Sequence, residues 1–251
     1  MKKSTIVRTA VFLLSLSLML FAGWRLYGIY AEYSRGTQTY EDLAQQYVVV
    51  PSGPGQEESQ QEERRVDFDS LLAQCSDVVA WIVCEGTDIN YPVVQSGDNS
   101  YYLRRLLNGT YNIAGTIFMD YRNQSDLSDW NTILYGHNMK NGSMFGSLPK
   151  YGEQSFYDAH PTMRLLTPEK QFEIELLAGY VTPADSGAYA FPATREERDA
   201  LIEQALAASD FVSGVQVSQK DRLVTLSTCV YDYEDARYVV VGVLRELEKE
   251  T

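Results

Sequence analysis

Short apolar runs, separated by Gly, Asn, Asp and Pro, dominate the chain from Val66 onward. Many are rich in Val, Ile and aromatic residues, a composition that favours strands over helices. Eight such runs are predicted as strands: "AWIVCEG", "INYPVV", "GTIFMDY", "NTILYGH", "MRLLT", "QFEIELLAGYV", "RLVTLSTC" and "RYVVVGVL". The pattern therefore predicts a mainly β fold, an eight-stranded closed or nearly closed β-barrel.

Apolar residues also recur at helical spacing, both before the series of predicted strands and between its members. A helix is predicted from about Asp67 to Val78, with an apolar face formed by Phe68, Leu71, Leu72, Cys75 and Val79. A short helix is predicted around "DNSYYLRRLL", and a longer one at residues 195–208 before the strand "RLVTLSTC". Thr194 followed by Glu197 is a capping-box signature for that longer helix. Its mostly apolar face would comprise Ile202, Ala205, Leu206 and Ser209.

The N-terminus carries an apolar run behind the cations Lys2, Lys3 and Arg8. The run "TAVFLLSLSLMLFAGW", residues 9–24, would span about 24 Å as a helix, and "RLYGIY" extends it if Arg25 snorkels toward the interface. A signal-anchor, a cleaved signal peptide and a short buried helix are the alternatives. The anchor is favoured because the run lacks an A-x-A-like cleavage site and ends in aromatic residues typical of a membrane interface.

The predicted organisation has three parts. Residues 1–30 form a cytoplasmic tail and transmembrane anchor, and the positive-inside rule places the rest of the chain outside the cytoplasm. Residues 31–65 form an extension, with a short helix around "TYEDLAQQYVVV" and a solvated linker over 51–65. Residues 66–251 form the barrel domain.

Composition narrows the function classes. The chain of 251 residues is 45% hydrophobic, which is enough for one substantial core. The 34 acidic and 21 basic residues give a net charge of −13, which argues against a nucleic-acid partner because phosphate binding needs clustered cations.

The three cysteines differ in their surroundings. Cys75 lies on the apolar helix face and is interpreted as packing. Cys84 ends a strand-like run, where a core thiol is preferred over a disulfide with Cys75. Cys229 ends the strand "RLVTLSTC", eight residues before Arg237. Zinc is disfavoured, since the sequence has no Cys-x-x-Cys or His-x-x-x-His pair, and neither a metal nor another cofactor is expected.

A hairpin would place Cys229 and Arg237 side by side. If the last two strands are antiparallel neighbours joined by residues 230–236, these two residues face each other with Cβ atoms about 4.5 to 5.5 Å apart. The period of two puts Thr225 and Ser227 on the same face as Cys229, and this polar face suits a groove better than a core.

A cysteine nucleophile usually needs a proton carrier, and the chain has two histidines. His137 ends the strand "NTILYGH" before a loop rich in Gly, Ser and Asn, where catalytic groups are often presented. His160 precedes Pro161 in a predicted turn and is interpreted as a surface residue. Pattern alone leaves open whether His137 is reactive or structural.

The motifs "TLSTC" with a downstream arginine, "LYGHN" and "AWIVCEGTDINYPVVQSGDNSYYL" resemble those of the class B sortases, membrane-anchored cysteine transpeptidases of Gram-positive bacteria. The resemblance covers nearly the whole chain. The capped helix before the cysteine strand and the N-terminal helical extension are similar to features that distinguish this class.

The resemblance implies a reaction. Cys229 would attack the carbonyl of the threonine in a C-terminal sorting signal of the NPxTN or xPxTG type and form a thioacyl-enzyme, which an amine of the peptidoglycan precursor or cross-bridge then resolves. His137 would move the protons and Arg237 would hold the substrate and stabilise the oxyanion. Ser227 and Tyr189, the latter in "DSGAYAF", would contact the substrate.

Three other protein classes are alternatives to a sortase. A papain-like protease would have its cysteine before its histidine, and an L,D-transpeptidase would have arginine almost directly after the cysteine. The carboxylates of Asp232, Glu234 and Asp235 do not fit a triad position and indicate a solvated loop. A non-catalytic surface module with a packed Cys229 stays open.

Overall fold

A computed structural model describes residues 2–49 and 65–247, with side chains from Ile6 onward. The part before the barrel consists of a long helix, a two-stranded antiparallel pair and a short helix: α1 (Lys2–Tyr47), β1 (Val48–Val49), β2 (Arg65–Val66) and α2 (Phe68–Gln74). Most of the predicted linker, residues 51–65, lies outside the described residues.

Within the described residues, eight further strands close into a barrel, as predicted. They are β3 (Val78–Val83), β4 (Asn90–Val94), β5 (Ile117–Met119), β6 (Asn131–Tyr135), β7 (Thr162–Leu166), β8 (Gln171–Pro183), β9 (Arg222–Cys229) and β10 (Ala236–Leu247). The order around the barrel is β10-β8-β7-β3-β4-β5-β6-β9. Strands β4 and β5 pair in parallel, as do β6 and β9, and the other neighbours are antiparallel.

The connections carry the remaining helical elements. These are α3 (Gln154–Ala159), α4 (Arg195–Ala208) and three 3₁₀ turns at Tyr102–Arg104, Leu148–Gly152 and Gly187–Tyr189. The predicted helix around "DNSYYLRRLL" is the first of these turns, so it is shorter than expected. Residues 148–159 were not predicted as helical.

The capped helix α4 has the predicted bounds. The hydroxyl of Thr194 accepts a hydrogen bond from the backbone N of Glu197 at 3.2 Å, and the Glu197 carboxylate accepts one from the N of Ala193 at 2.7 Å. The predicted face is partly wrong, because Leu206 is 47% exposed while Leu201 is buried beside Ile202. This face packs on the outside of the barrel, over a cluster that includes residues 239 and 241 of β10.

The N-terminal helix is longer than expected. The predicted anchor and the predicted short helix after residue 31 are one continuous element, α1, that runs through to Tyr47. Its Ile6–Tyr47 portion is long and apolar enough to cross a membrane, judged by length and composition. Its C-terminal part packs on the barrel, where the Tyr40 hydroxyl donates to the carbonyl of Gly115 at 2.6 Å. Gly36 permits this approach, since a Cβ there would lie 2.9 Å from the Asn112 Oδ1 atom.

Helix α2 is shorter than predicted. Asp67 caps it through a hydrogen bond from the Ser70 backbone N at 3.1 Å, and it ends at Cys75, whose backbone is extended. Val79 therefore belongs to β3 rather than to the helical face. Cys75 and Cys84 are free thiols, and Cys84 is buried against the Tyr151 hydroxyl, which confirms the interpretation of Cys84 as a core residue.

Candidate active site

The β9–β10 hairpin brings Cys229 and Arg237 together as predicted. The two residues are direct partners in the antiparallel register. The connecting loop consists of residues 230–235, because Ala236 already belongs to β10. The Ala236 carbonyl accepts a hydrogen bond from Val230 N at 3.1 Å. Asp232, Glu234 and Asp235 are exposed, so this loop is solvated as expected.

His137 is held beside Cys229 by the parallel pairing of β6 with β9, in which Tyr135 is the partner of Ser227. Beyond that pair, Gly136 N donates to the Ser227 carbonyl at 3.1 Å, and the Thr228 hydroxyl donates to the Gly136 carbonyl at 2.8 Å. The Asn138 amide donates to the Cys229 carbonyl at 2.9 Å. These bonds on both sides of His137 tie its backbone to the end of the cysteine strand.

The predicted site residues His137, Cys229, Arg237, Ser227 and Tyr189 all line one cavity of about 330 Å³. The rest of its wall consists of Asn99, Leu103, Phe118, Arg122, Tyr135, Gly136, Ala184 and Thr228. Cys229, His137 and Arg237 are half-buried, so each is accessible from the cavity while part of its surface is packed. The second histidine lies elsewhere, with its Nδ1 atom 2.9 Å from the Glu85 carbonyl.

His137 is neutral at physiological pH. Burial lowers its pKa from the ordinary 6.5, the positive charge of Arg104 lowers it further, and the carbonyl of Leu103 opposes both effects. Its Nε2 atom lies 2.6 Å from that carbonyl. Because a carbonyl only accepts hydrogen bonds, Nε2 carries the proton and Nδ1 is left as the basic nitrogen.

Tyr189 and Ser227 form a hydroxyl pair on the cavity wall. Their oxygen atoms are 2.8 Å apart, and the Tyr189 ring stacks on the Tyr135 ring with centroids separated by 6.1 Å. Burial raises the pKa of Tyr189, and the hydrogen bond with Ser227 and the charge of Arg237 oppose this only in part. The phenol is therefore protonated and serves as a hydrogen-bonding group.

A polar cluster that was not predicted from the sequence is formed by Asn99, Asp120, Arg122 and the Tyr135 hydroxyl, and all of these except the buried Asp120 line the cavity. Asp120 follows β5, and its carboxylate accepts hydrogen bonds from all three of the other residues. The signal was "MDYR", an aspartate at a strand end followed two residues later by an arginine. No group of three or more residues suited to hold a metal ion is found in the described part of the chain.

Comparison with known proteins places the chain in a family. A family profile described as "Sortase domain" matches residues 82–245. Sortase B of Listeria monocytogenes is 36% identical over 97% of this chain and 99% of its own length. The structure of sortase B from B. anthracis is 33% identical, with a TM-score of 0.75 over 87% of this chain and 100% of that chain.

A structure described as a Staphylococcus aureus sortase B-substrate complex is also similar. It is 32% identical, with a TM-score of 0.69 over 72% of this chain and 85% of that chain. Members of this family are cysteine transpeptidases, in agreement with a cavity that holds a cysteine, a histidine and an arginine. The histidine follows β6, which ends at Tyr135 and not at His137 as predicted. The chain belongs to the sortase family and, within it, to the class B sortases.

Proposed function

We propose that this protein cleaves a C-terminal sorting signal of the NPxTN or xPxTG type after its threonine and transfers the attached surface protein to a cell-wall amine. The observation that carries the proposal is the convergence of Cys229, His137 and Arg237 on one open cavity. A cysteine that merely filled core space would be fully buried, whereas Cys229 is half-exposed to the cavity. A structure of the S. aureus relative is described as a substrate complex, which supports substrate binding by this chain as well.

Cys229 is the proposed nucleophile. Its thiolate sulfur forms a bond to the threonine carbonyl carbon, and the bond from that carbon to the following amide nitrogen breaks. The expelled nitrogen takes a proton and leaves as an amine. An amine of the peptidoglycan precursor or cross-bridge then attacks the thioacyl carbon, which releases the cysteine thiolate and forms the new amide.

His137 is the proposed proton carrier for both steps. It would take the proton of the Cys229 thiol, which gives the thiolate and an imidazolium, and this imidazolium would protonate the leaving amine. As neutral imidazole it would then take a proton from the incoming amine and return it to the released thiolate. The bond from Nε2 to the Leu103 carbonyl leaves Nδ1 for the proposed exchange. The lowered pKa of His137 makes its protonated form a stronger acid toward a departing amine.

Arg237 is the proposed electrostatic partner. One guanidinium nitrogen, Nη1, donates to the Ala236 carbonyl at 3.0 Å, which restrains the side chain against its own strand. Its other N–H groups are available for the oxyanion that forms on the threonine carbonyl, and arginine stays charged throughout the reaction. Ser227 and Tyr189 would line the path of the substrate through their hydroxyl pair.

The N-terminal helix is proposed as a single-pass membrane anchor. Residues 1–30 would form the cytoplasmic tail and the anchor, residues 31–65 an extension, and residues 66–251 the extracellular catalytic domain. The apolar side chains of α1 between Ile6 and Tyr30 are exposed, as expected for a segment whose partner is lipid. The proposed location is therefore the outer face of the cell membrane.

The test uses fluorogenic peptides of the NPxTN and xPxTG types. Because Tyr40 of α1 packs on the barrel, the full chain in detergent is the appropriate enzyme rather than residues 66–251 alone. We expect the wild type to cleave at least one peptide type and Cys229→Ala to cleave neither. Undiminished cleavage by Cys229→Ala would refute the mechanism, and absence of cleavage by the wild type would favour a non-catalytic surface module.

A further inference from the structure

The carbonyl that accepts the hydrogen bond of His137 lies on a short turn. Leu103, whose carbonyl oxygen is 2.6 Å from His137 Nε2, belongs to the 3₁₀ turn Tyr102–Arg104. A 3₁₀ turn of three residues has few hydrogen bonds of its own. The position of this carbonyl therefore depends on the part of the chain that packs against the turn, which is the 112–116 segment before β5.

The 112–116 segment holds the turn in place. Thr116 N donates a hydrogen bond to the Tyr102 carbonyl at 3.0 Å. Gly115 lies directly against the next carbonyl, since a Cβ at Gly115 would be 2.5 Å from the Leu103 oxygen. Its φ of +59° is also one that glycine adopts readily. The Leu103 carbonyl therefore has the imidazole on one side and Gly115 packed closely against it.

One face of α1 packs on the 112–116 segment. Glu32, Gly36 and Tyr40 follow one another at intervals of four residues, so they lie on the same side of the helix. The Glu32 carboxylate accepts a hydrogen bond from Ile113 N at 3.1 Å. The helix that carries the apolar N-terminal run thus also contacts the segment behind the turn.

Tyr40 connects α1 to the residue behind the Leu103 carbonyl. The side chain of Tyr40 is 2% exposed, and its hydroxyl donates to the Gly115 carbonyl at 2.6 Å. The same hydroxyl lies 2.8 Å from the Thr116 hydroxyl oxygen. The Tyr40 ring packs edge-on against the Tyr91 ring, with centroids 5.4 Å apart. Removal of the Tyr40 hydroxyl would therefore loosen the backbone that fixes the Leu103 carbonyl.

Tyr40 is also linked to the loop that follows His137. The Tyr91 hydroxyl accepts a hydrogen bond from Met144 N at 3.0 Å. The next residue, Phe145, donates from its backbone N to the His137 carbonyl at 3.0 Å. Contacts that begin at Tyr40 thus reach the imidazole through the 3₁₀ turn and the backbone of the histidine through Tyr91.

We propose that Tyr40 is a positioning residue for His137, and that the packing of α1 on the 112–116 segment keeps the imidazole proton on Nε2. This inference rests on the proposed function, since it concerns the residue proposed to carry the protons. If the Leu103 carbonyl moves out of hydrogen-bonding range, the imidazole loses the acceptor that fixes its tautomer, and some molecules carry the proton on Nδ1. Those molecules lack a basic nitrogen at the position that the proposed reaction uses.

The test determines the tautomer of His137 by NMR of the imidazole nitrogens, in the full chain in detergent with isotope-labelled histidine. The chain has two histidines, so His160 is an internal reference and His160→Gln identifies its signals. The matched control is Tyr47→Phe, which removes another buried hydroxyl of α1, one that donates to the Gln74 side chain at 2.8 Å. We expect the proton on Nε2 in the wild type and in Tyr47→Phe, and a population with the proton on Nδ1 in Tyr40→Phe.

The pKa of His137 and the rate of cleavage are further measurements. The Leu103 carbonyl raises the pKa of His137, so Tyr40→Phe should lower this pKa below that of the wild type, whereas Tyr47→Phe should leave it unchanged. The kcat/KM for peptide cleavage should fall by about 10- to 100-fold in Tyr40→Phe. The other charged or titratable groups around His137 lie outside α1 and are the same in both variants: Arg104, Arg122, Tyr135, Tyr189, Cys229 and Arg237.

A second pair of variants covers the case in which Tyr40→Phe fails to fold. Gly36→Ala would place a Cβ 2.9 Å from the Asn112 Oδ1 atom, so α1 and the 112–116 segment must move apart. Its control is Gly28→Ala, because a Cβ at Gly28 would have no atom within 4 Å. Gly36→Ala should change the tautomer of His137 in the same direction as Tyr40→Phe, and Gly28→Ala should not change it.

The NMR result separates this inference from the proposed function. A change of tautomer in Tyr40→Phe or Gly36→Ala, absent from the controls, supports the inference even if the wild type cleaves no peptide, an outcome that would refute the function alone. An unchanged tautomer and pKa of His137 in these variants would overturn the inference. A fall in kcat/KM without either change would show that Tyr40 only supports the fold, and would overturn it as well.

Discussion

Gly136 offers a sharp test of how the fold positions His137. This glycine joins the end of β6 to the histidine, and the space beside it is filled by side chains that are fully buried. A Cβ at this position would lie 2.4 Å from Ile117 Cδ1 and 2.6 Å from Phe145 Cδ2. Because carbon atoms prefer separations of about 3.5 to 4.0 Å, Gly136→Ala requires a shift of about 1 Å.

Two effects are expected from that shift. Overpacking of a filled core costs about 1 to 3 kcal/mol of unfolding free energy. The backbone between β6 and His137 must also move, and a misplacement of about 1 Å in a catalytic group costs on the order of 100-fold in rate. We expect Gly136→Ala to be less stable by about 2 kcal/mol and its kcat/KM to fall by about 10- to 100-fold.

Urea unfolding and peptide cleavage measure the two effects separately. The matched control is Gly152→Ala, since a Cβ at Gly152 would have no atom within 4 Å. The control should behave as the wild type in both assays. If Gly136→Ala equals the control in stability and in kcat/KM, the close packing around His137 has no role in positioning it, and the reasoning fails.

Two further predictions concern Arg198 and His137. Arg198 is 2% exposed and donates to the carbonyls of Ser218, Gln219 and Asp221. Urea unfolding should therefore show that Arg198→Gln lowers the unfolding free energy by about 3 kcal/mol. The control Arg195→Gln, at an exposed position, should change it by less than about 0.5 kcal/mol. Equal effects of the two changes would contradict this account. The pKa of His137 lies below its unfolded value of 6.5, so the unfolded chain binds more protons between these two pKa values and stability falls as pH drops through that window. The wild type should therefore lose stability relative to His137→Gln as the pH falls below about 6.5. If the difference in unfolding free energy between the two proteins is the same at pH 8 and pH 5, burial of the imidazole has no energetic effect.

Local features of the sequence predicted those parts of the site that depend on strands consecutive in the chain. The Cys229–Arg237 pairing follows from one hairpin and the period of two, and both are visible in "TLSTCVYDYEDARY". The capping of α4 is likewise local, since it needs Thr194 and Glu197 alone.

Long-range pairings could not be predicted in this way. His137 meets Cys229 because β6 and β9 pair in parallel, and these strands are far apart in the chain. The resemblance to a known family supplied that link, and residue spacing did not. The prediction that Leu206 lies on the buried face of α4 is wrong, since its side chain is exposed. Helical spacing shows which residues share a face but not how wide a strip of the helix the barrel covers.

The Asp120–Arg122 cluster was missed for a similar reason. An aspartate and an arginine two residues apart after a strand are ordinary surface residues in most sequences. Burial of the Asp120 carboxylate and its bonds to Asn99 and Tyr135 arise only when β5, β6 and the loop before the first 3₁₀ turn come together. The cluster is therefore visible only in the folded chain.

The central claim is that Cys229 becomes acylated by the threonine carbonyl of a sorting signal. Intact-protein mass spectrometry of the full chain, mixed with a sorting-signal peptide in the absence of an acceptor amine, measures this directly. We predict a mass increase equal to that of the peptide portion that ends in threonine, and fragmentation should locate it on Cys229. The added mass should be lost when an amine is supplied. It should be absent in Cys229→Ala. Peptide cleavage by the wild type without such an adduct, together with equal cleavage by Cys229→Ala, would contradict the account.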